Sequence, residues 1–118
     1  KITFLGVTFK AGTDDMRESP SLKIIPDLVR KGCIIKYYDP TGTKDELKRL
    51  KNTTYCSDIK NACKDADLLI IHTEWNEFKQ LNFKKLIKKK IFKVYDMRNL
   101  YSPIKMKKNK INYFSVGR

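Results

Sequence analysis

The chain has 118 residues, of which 41% are hydrophobic and 11% aromatic, and its formal net charge is +13. This length and composition suit one folded domain with a single core and exclude a disordered chain. No apolar run approaches the roughly 20 residues that cross a bilayer. The first residues, Lys1 to Thr3, open on a strand with neither a signal peptide nor an initiator methionine. We therefore expect a piece of a longer cytoplasmic protein with no membrane partner.

The apolar run 2–8 predicts a buried strand, which a charged loop separates from an amphipathic helix. Ser19 and Pro20 are typical of a helix start, as N-cap and first helical residue. Gly32 is typical of a helix end. Pro26 falls inside this helix, where its missing N–H is expected to bend the axis.

Strands and helices continue to alternate through the rest of the chain. The predicted strands are 34–38, 54–56, 67–72, 92–95 and 111–114, and the predicted helices are 43–51, 59–64 and 83–89. Strand 67–72 is almost wholly apolar, as expected of a strand covered on both faces. The alternation predicts a single α/β domain: a Rossmann-like, doubly wound, mostly parallel sheet with helices on both faces.

Two interpretations of the net charge stay open. A charge of +13 is typical of proteins that bind nucleic acid. The lysines of 84–90 and 105–110 alternate with apolar residues, however, as they do on a solvated amphipathic surface. Because no base-stacking aromatic pattern accompanies them, we favour the solvated surface and predict no nucleic-acid partner.

The cysteines and the single histidine give no sign of catalysis or metal binding. Cys33, Cys56 and Cys63 are odd in number and lack Cys-x-x-Cys spacing. This disfavours a disulfide framework or a zinc site and favours a reducing compartment. His72 ends an apolar strand, and we interpret it as a packed residue. We predict neither a metal site nor a catalytic residue in this chain.

Polar side chains follow three of the predicted strands, in the segments 10–17, 73–78 and 96–99. Because the carboxyl ends of parallel strands meet at one edge of a sheet, these segments are expected to converge. Lys10 and Arg17 suggest anion recognition, and the helix that follows adds the positive end of its dipole.

The turn after the first strand differs from that of dinucleotide-binding folds. Gly6 and Gly12 lie too far apart to form Gly-x-Gly-x-x-Gly, and the loop is charged. Asp39 has the place of a ribose-binding acid, but an Asp-Pro turn with Pro40 is the preferred interpretation.

Residues 9–20, Phe-Lys-x-x-Thr-Asp-Asp-x-Arg-x-Ser-Pro, resemble the opening of the C-terminal domain of nucleotide-sugar dehydrogenases, the UDP-glucose/GDP-mannose dehydrogenase family. Similar segments are 38–40, 73–78, 96–101 and 113–118. Together they extend the resemblance over essentially the whole chain. The Thr-Glu-Trp element at 73–75 favours the UDP-glucose branch over the GDP-mannose branch. Enzymes that oxidise UDP-N-acetylmannosamine share much of the first motif and stay an alternative.

The resemblance implies that the full enzyme oxidises UDP-glucose to UDP-glucuronate and reduces two NAD. A separate N-terminal domain would hold NAD and the catalytic cysteine, and the full enzyme is expected to be a homo-oligomer. Residues 1–118 would be the UDP-binding domain, which closes over the active site and is inactive alone. A purely structural, dimerising domain is a further hypothesis.

The resemblance also assigns residues of the site. Phe9 and Lys10 match residues that contact the UDP-sugar, and Arg98 matches an arginine near it. A lysine ammonium beside a diphosphate acts as a point charge. Arg17 matches the arginine that reaches NAD. For Asp15, pairing with Arg17 to order the loop is as strong an interpretation as contact with the substrate.

Overall fold

The computed structural model describes residues 1–117; Arg118, the last residue of the segment 113–118, lies outside them. In chain order the helices and strands are β1 (Ile2–Leu5), α1 (Ser21–Arg30), β2 (Ile35–Tyr38), α2 (Asp45–Lys48), β3 (Thr53–Tyr55), α3 (Ile59–Cys63), β4 (Leu68–Ile71), α4 (Phe83–Leu86), β5 (Lys93–Asp96), α5 (Pro103–Lys108) and β6 (Asn112–Ser115). A short 3₁₀ turn, Asn76–Phe78, follows β4. None of the helices within residues 1–117 has the length and apolarity needed to cross a membrane.

The strands form one sheet in the order β3-β2-β1-β4-β5-β6, and each neighbouring pair is parallel. The order reverses between β1 and β4, which lie side by side at the centre. Chain connections leave such a switch point in opposite directions, and a crevice opens between them at the carboxyl edge of the sheet. The predicted doubly wound α/β fold is confirmed, with a sheet that is parallel throughout.

Two apolar clusters cover the two faces of the sheet. Ile25 of α1 and Leu47 of α2 pack with Phe4 in one cluster. Phe83 of α4 packs with Leu5 in the other, where α3 and α5 also contribute buried residues. Phe4 and Leu5 are neighbours in β1, and because side chains alternate along a strand they point to opposite faces. The central strand therefore joins both clusters.

β1 is shorter than the predicted strand 2–8. Gly6 has a φ of +80°, a left-handed conformation that ends the ladder after Leu5. A Cβ atom at Gly6 would lie 2.5 Å from the Cβ of Thr73. Glycine therefore allows the chains leaving β1 and β4 to touch at the switch point.

Local helix signals overestimate two helices and miss a third. The predicted helices 43–51 and 83–89 are single turns, Asp45–Lys48 and Phe83–Leu86. After Leu86, Ile87 adopts an extended conformation and is buried in the apolar cluster that contains Phe83 and Leu5. The burial of Ile87 therefore outweighs the helix propensity of the lysines that follow. α5 was not predicted, although Ser102 caps it and Pro103 begins it.

Candidate functional site

A groove of about 530 Å³ opens at the carboxyl edge of the sheet. Its lining residues are Ala11, Gly12, Pro40 and the segment 74–77. These belong to the loops that follow β1, β2 and β4. Two of the three predicted polar segments, 10–17 and 73–78, therefore meet at the switch point.

The exits of β1 and β4 are joined by hydrogen bonds. The backbone N–H of His72 donates to the carbonyl of Leu5 at 3.0 Å. The Thr73 hydroxyl donates to the carbonyl of Thr8 at 3.0 Å. These bonds bring the predicted segment 73–78 against the β1 loop.

The loop after β1 is anchored at both ends. Met16 is buried in the core beside α1. The hydroxyls of Ser19 and Ser21 each donate to the carbonyl of Val7 at 2.6 Å. The predicted N-cap therefore needs correction: α1 begins at Ser21, Pro20 occupies the N-cap position, and no side chain caps the helix. The Ser19 hydroxyl closes the loop instead.

Asp15 and Arg17 pair within this loop. The Arg17 guanidinium donates to both carboxylate oxygens of Asp15, through Nε at 3.1 Å and Nη2 at 3.0 Å. The backbone N–H of Arg17 donates to the same carboxylate at 2.9 Å. These hydrogen bonds lower the pKa of Asp15 and raise the pKa of Arg17. Because the Arg17 side chain is 88% exposed, its remaining donors face outward.

Phe9 and Lys10 lie at the tip of the β1 exit. The backbone N–H of Phe9 donates to the carbonyl of Asp15 at 3.0 Å, which closes the loop across its base. The Thr8 hydroxyl donates to the carbonyl of Lys10 at 3.1 Å. The Phe9 side chain is 43% exposed, and Lys10 is exposed as well. The backbone at both positions is therefore fixed while both side chains reach solvent.

Arg98 connects three strand exits. It follows β5, its Nε donates to the carbonyl of His72 at 2.7 Å, and its Nη2 donates to the carbonyl of Phe9 at 2.9 Å. The predicted residues Phe9 and Arg98 are thus in direct contact. Arg17, by contrast, is held by Asp15 at the other end of the loop.

Asp96 organises the loop that carries Arg98. It is fully buried and ends β5. Its carboxylate accepts hydrogen bonds from the backbone N–H groups of Arg98, Leu100 and Tyr101 and from the Tyr113 hydroxyl, at 2.6–3.0 Å. This role of Asp96 was not predicted, although an acid that ends a buried strand is itself a signal, because a buried carboxylate needs donors.

His72 is buried and neutral. The Thr73 hydroxyl already donates to Thr8, so the 2.9 Å contact between His72 Nδ1 and that hydroxyl places the proton on Nδ1. Burial lowers the pKa of His72 to about 4, and the nearby positive charge of Arg98 contributes a smaller part of this decrease. Its unprotonated Nε2 is buried with no partner among the described residues. His72 therefore adds no positive charge to the site at neutral pH.

Asp39 joins the exits of β1 and β2. The buried carboxylate accepts the backbone N–H of Val7 at 2.9 Å and both the N–H and the hydroxyl of Thr41, at 2.9 and 2.6 Å. Both carboxylate oxygens are occupied by protein donors. The structure therefore supports the Asp-Pro turn at Asp39.

The carboxyl edge of the sheet carries positive charge that suits an anionic ligand. Lys10, Arg17 and Arg98 supply its positive charge. Burial raises the pKa of Cys63 to about 12, so that thiol is not a nucleophile at neutral pH. Within residues 1–117 there is no group of three or more His, Cys, Asp or Glu side chains placed to hold a metal ion.

Comparison with known proteins identifies related sequences. The model of the UDP-glucose/GDP-mannose dehydrogenase family, UDP binding domain, matches residues 3–103. The UDP-glucose 6-dehydrogenase of Rickettsia conorii is 41% identical over 98% of this chain, which covers 28% of that protein. The corresponding enzyme of Rhizobium meliloti is 39% identical over the whole chain, which covers 27% of that protein. This chain therefore spans little more than a quarter of the length of these relatives.

Solved structures show the same fold. The UDP-D-ManNAc dehydrogenase of Pyrococcus horikoshii matches 99% of this chain with a TM-score of 0.72 and 25% identity, over 25% of its own length. The UDP-N-acetyl-mannosamine dehydrogenase Cap5O of Staphylococcus aureus matches the whole chain with a TM-score of 0.66 and 28% identity, over 26% of its length. The matched family model and these relatives show that the chain belongs to the UDP-glucose/GDP-mannose dehydrogenase family, within its UDP binding domain.

Proposed function

We propose that this chain is the UDP-binding part of a cytoplasmic UDP-glucose 6-dehydrogenase, an enzyme that oxidises UDP-glucose to UDP-glucuronate with two NAD. The observation that carries the proposal is the contact between Arg98 and Phe9, next to the exposed Lys10, at the switch point of the sheet. Relatives with that enzyme name are about 40% identical to this chain, which supports the choice of sugar nucleotide.

Phe9, Lys10 and Arg98 each offer a different kind of contact to the nucleotide-sugar. Lys10 offers a mobile ammonium to the diphosphate, and the half-exposed ring of Phe9 offers an apolar surface to the base or sugar. Arg98 has five N–H donors, of which the carbonyls of His72 and Phe9 accept two. The bond to Phe9 positions that residue, the bond to His72 holds Arg98 against the exit of β4, and the remaining donors are left for the substrate.

NAD is the hydride acceptor in this proposal. Arg17 is the one residue of this chain that we assign to contact with NAD. The guanidinium is exposed and fixed in direction by Asp15, which suits contact with an anionic phosphate across a domain boundary. The glycine-rich turn that cradles a pyrophosphate is absent from the described loop after β1. We infer that an N-terminal domain holds NAD and the catalytic cysteine, and that the full enzyme is a homo-oligomer. This chain alone should therefore produce no NADH.

The test is a titration of UDP into the isotopically labelled chain, with GDP as the control nucleotide and amide shifts as the signal. We expect shifts at Phe9, Lys10 and Arg98 that are larger for UDP than for GDP. Lys10→Ala should weaken the response, whereas Lys23→Ala, an exposed lysine on α1, should not. Equal shifts with UDP and GDP would contradict the proposal. Shifts that are the same in Lys10→Ala as in the wild type would contradict it as well.

A UDP-N-acetylmannosamine dehydrogenase is the second candidate. Two solved structures of such enzymes, from Pyrococcus and Staphylococcus, match this chain at 25–28% identity. The two candidates share the nucleotide and differ in the sugar. Amide titrations with UDP-glucose and UDP-N-acetylmannosamine separate them, because only the preferred sugar should add shifts beyond those of UDP.

A further inference from the structure

Positive charge is concentrated in one half of the sheet. Residues 78–118 contain thirteen lysines and arginines and a single acidic residue, Asp96, whereas residues 1–77 contain thirteen basic and twelve acidic residues. Almost all of the net charge therefore belongs to the segment of α4, β5, α5 and β6. Among its described residues, Lys89 is the only lysine in a salt bridge, with Asp67 at 2.6 Å.

A basic groove of about 430 Å³ opens beside the amino ends of β5 and β6. Four of the residues that line it are lysines: Lys84, Lys89, Lys90 and Lys110. Since the strands are parallel, this edge of the sheet is opposite to the one that carries Phe9 and Lys10. The groove is therefore separate from the proposed nucleotide site.

An exposed pair of aromatic rings adjoins the groove. Tyr95 of β5 and Phe114 of β6 are register partners, and they are 37% and 48% exposed. Neither ring belongs to either core cluster. Asn112, which lines the groove, precedes Phe114 by two residues and so lies on the same face of β6. Lys93 has the same relation to Tyr95 and is the register partner of Asn112, so one exposed face of β5 and β6 leads from the groove to the two rings.

We propose that this basic-aromatic surface (Lys84, Lys90, Lys93, Tyr95, Lys110 and Phe114) binds single-stranded nucleic acid. A positive groove that follows the phosphates, beside rings on which bases stack, is the usual construction of such sites. This proposal reverses the sequence-based prediction of no nucleic-acid partner, which rested on the lack of aromatic residues beside the lysines. Tyr95 and Phe114 lie far apart along the chain, so their pairing leaves no pattern in the sequence. Parallel pairing of β5 and β6 brings them together.

The test measures fluorescence anisotropy of a labelled single-stranded DNA of mixed sequence and about 16 nucleotides, the upper site size of one binding domain. Each titration is run without UDP and repeated with saturating UDP. The protein should bind, and the logarithm of its affinity should fall linearly with the logarithm of salt concentration. Lys90→Gln with Lys110→Gln should make that slope shallower by about 0.7 for each phosphate that the variant no longer neutralises. Lys23→Gln with Lys31→Gln, in and after α1, is the matched control and should leave the slope unchanged.

The rings are tested separately from the charge. Phe114→Leu keeps an apolar side chain but removes the stacking surface, and should weaken binding about five-fold or more. Phe114→Tyr keeps the ring and should restore the affinity. Circular dichroism establishes that each variant is folded. Tyr95→Leu provides a second measurement if Phe114→Leu does not fold.

Three outcomes would overturn the proposal. Unchanged affinity of both leucine variants would exclude the aromatic pair. Displacement of the DNA by UDP would place it at the opposite edge of the sheet. Binding to phosphatidylserine vesicles without binding to DNA would identify a membrane surface, with the 82% exposed Ile91 in the groove as its apolar contact. None of these outcomes bears on the UDP titration, so the two proposals fail independently.

Discussion

Arg98 shows at the residue scale how one side chain serves both fold and site. The resemblance to nucleotide-sugar dehydrogenases implied only that Arg98 lies near the nucleotide-sugar. In the structure, two of its donors are directed to the carbonyls of His72 and Phe9. The guanidinium therefore holds the exits of β1, β4 and β5 together.

Arg98→Lys tests this double role. A single ammonium cannot reproduce the planar fork that reaches two carbonyls, so the charge stays while one hydrogen bond is removed. We expect unfolding to become easier by about 1 kcal/mol and the UDP-induced shift at Phe9 to shrink. Urea denaturation and the amide titration measure the two effects. A variant with wild-type stability and wild-type Phe9 shifts would contradict the positioning role.

His72 predicts a pH dependence of stability. Its pKa is about 4 in the folded protein, against about 6.5 in an unfolded chain. Between these values the unfolded chain binds a proton that the folded protein does not, so stability falls as the pH falls from 6.5 towards 4. His72→Asn preserves a donor toward Thr73 but cannot titrate.

The measurement is the free energy of unfolding in urea at pH 7 and pH 4.5. The wild type should lose about 2 kcal/mol more than His72→Asn over this interval. Parallel losses in the two proteins would mean that His72 protonates without penalty in the fold. The comparison with the variant removes the contribution of the carboxylates, which titrate in both proteins.

At the scale of the secondary-structure elements, two glycines in the chain that leaves β1 shape the carboxyl edge of the sheet. Gly6 and Gly12 both have positive φ, +80° and +81°. A Cβ at Gly6 would lie 2.5 Å from Thr73, whereas a Cβ at Gly12 would meet nothing within 4 Å. A side chain at Gly12 would therefore meet backbone strain alone, whereas a side chain at Gly6 would meet backbone strain and a steric clash with Thr73.

Gly6→Ala and Gly12→Ala form a matched pair. Gly12→Ala should cost about 1 kcal/mol, from the left-handed backbone alone. Gly6→Ala should cost about 3 kcal/mol or more, because the loops after β1 and β4 must also move apart. Thermal denaturation of the two variants measures the difference. Equal costs would show that the contact with Thr73 relaxes freely.

Predictability also differs between elements. Alternating apolar and polar segments located all six strands to within a few residues. The pattern failed for α4, where Ile87 leaves the helix to reach the core, and for the capped start of α5 at Ser102. Helix propensity is weak next to burial, so the ends of short helices follow tertiary packing.

The whole molecule has a polarised charge. Residues 78–118 carry almost all of the net positive charge, and few carboxylates lie near their lysines. Repulsion among like charges destabilises the compact state, and salt screens it over about 10 Å at 0.1 M. We expect the melting temperature to rise as sodium chloride increases from low to physiological concentration.

A variant with less repulsion among its surface charges tests this explanation of the salt dependence. Replacing Lys107 and Lys108 with glutamate should raise the melting temperature at low salt and flatten its salt dependence. Both residues are exposed and take part in no described salt bridge. A wild-type melting temperature that falls with salt, or variants that keep the wild-type dependence, would show that the basic half is not under electrostatic strain.

The sequence by itself determined the α/β class, the positions of the strands and the segments that carry the candidate ligands, because these depend on local periodicity and on motifs read along the chain. Tertiary structure decided which of those segments touch. It placed β1 beside β4, directed Arg98 to the carbonyl of Phe9, surrounded Asp96 with donors and paired Tyr95 with Phe114. Such contacts depend on strand order and register, which link residues distant in the chain and leave no periodic signal in it.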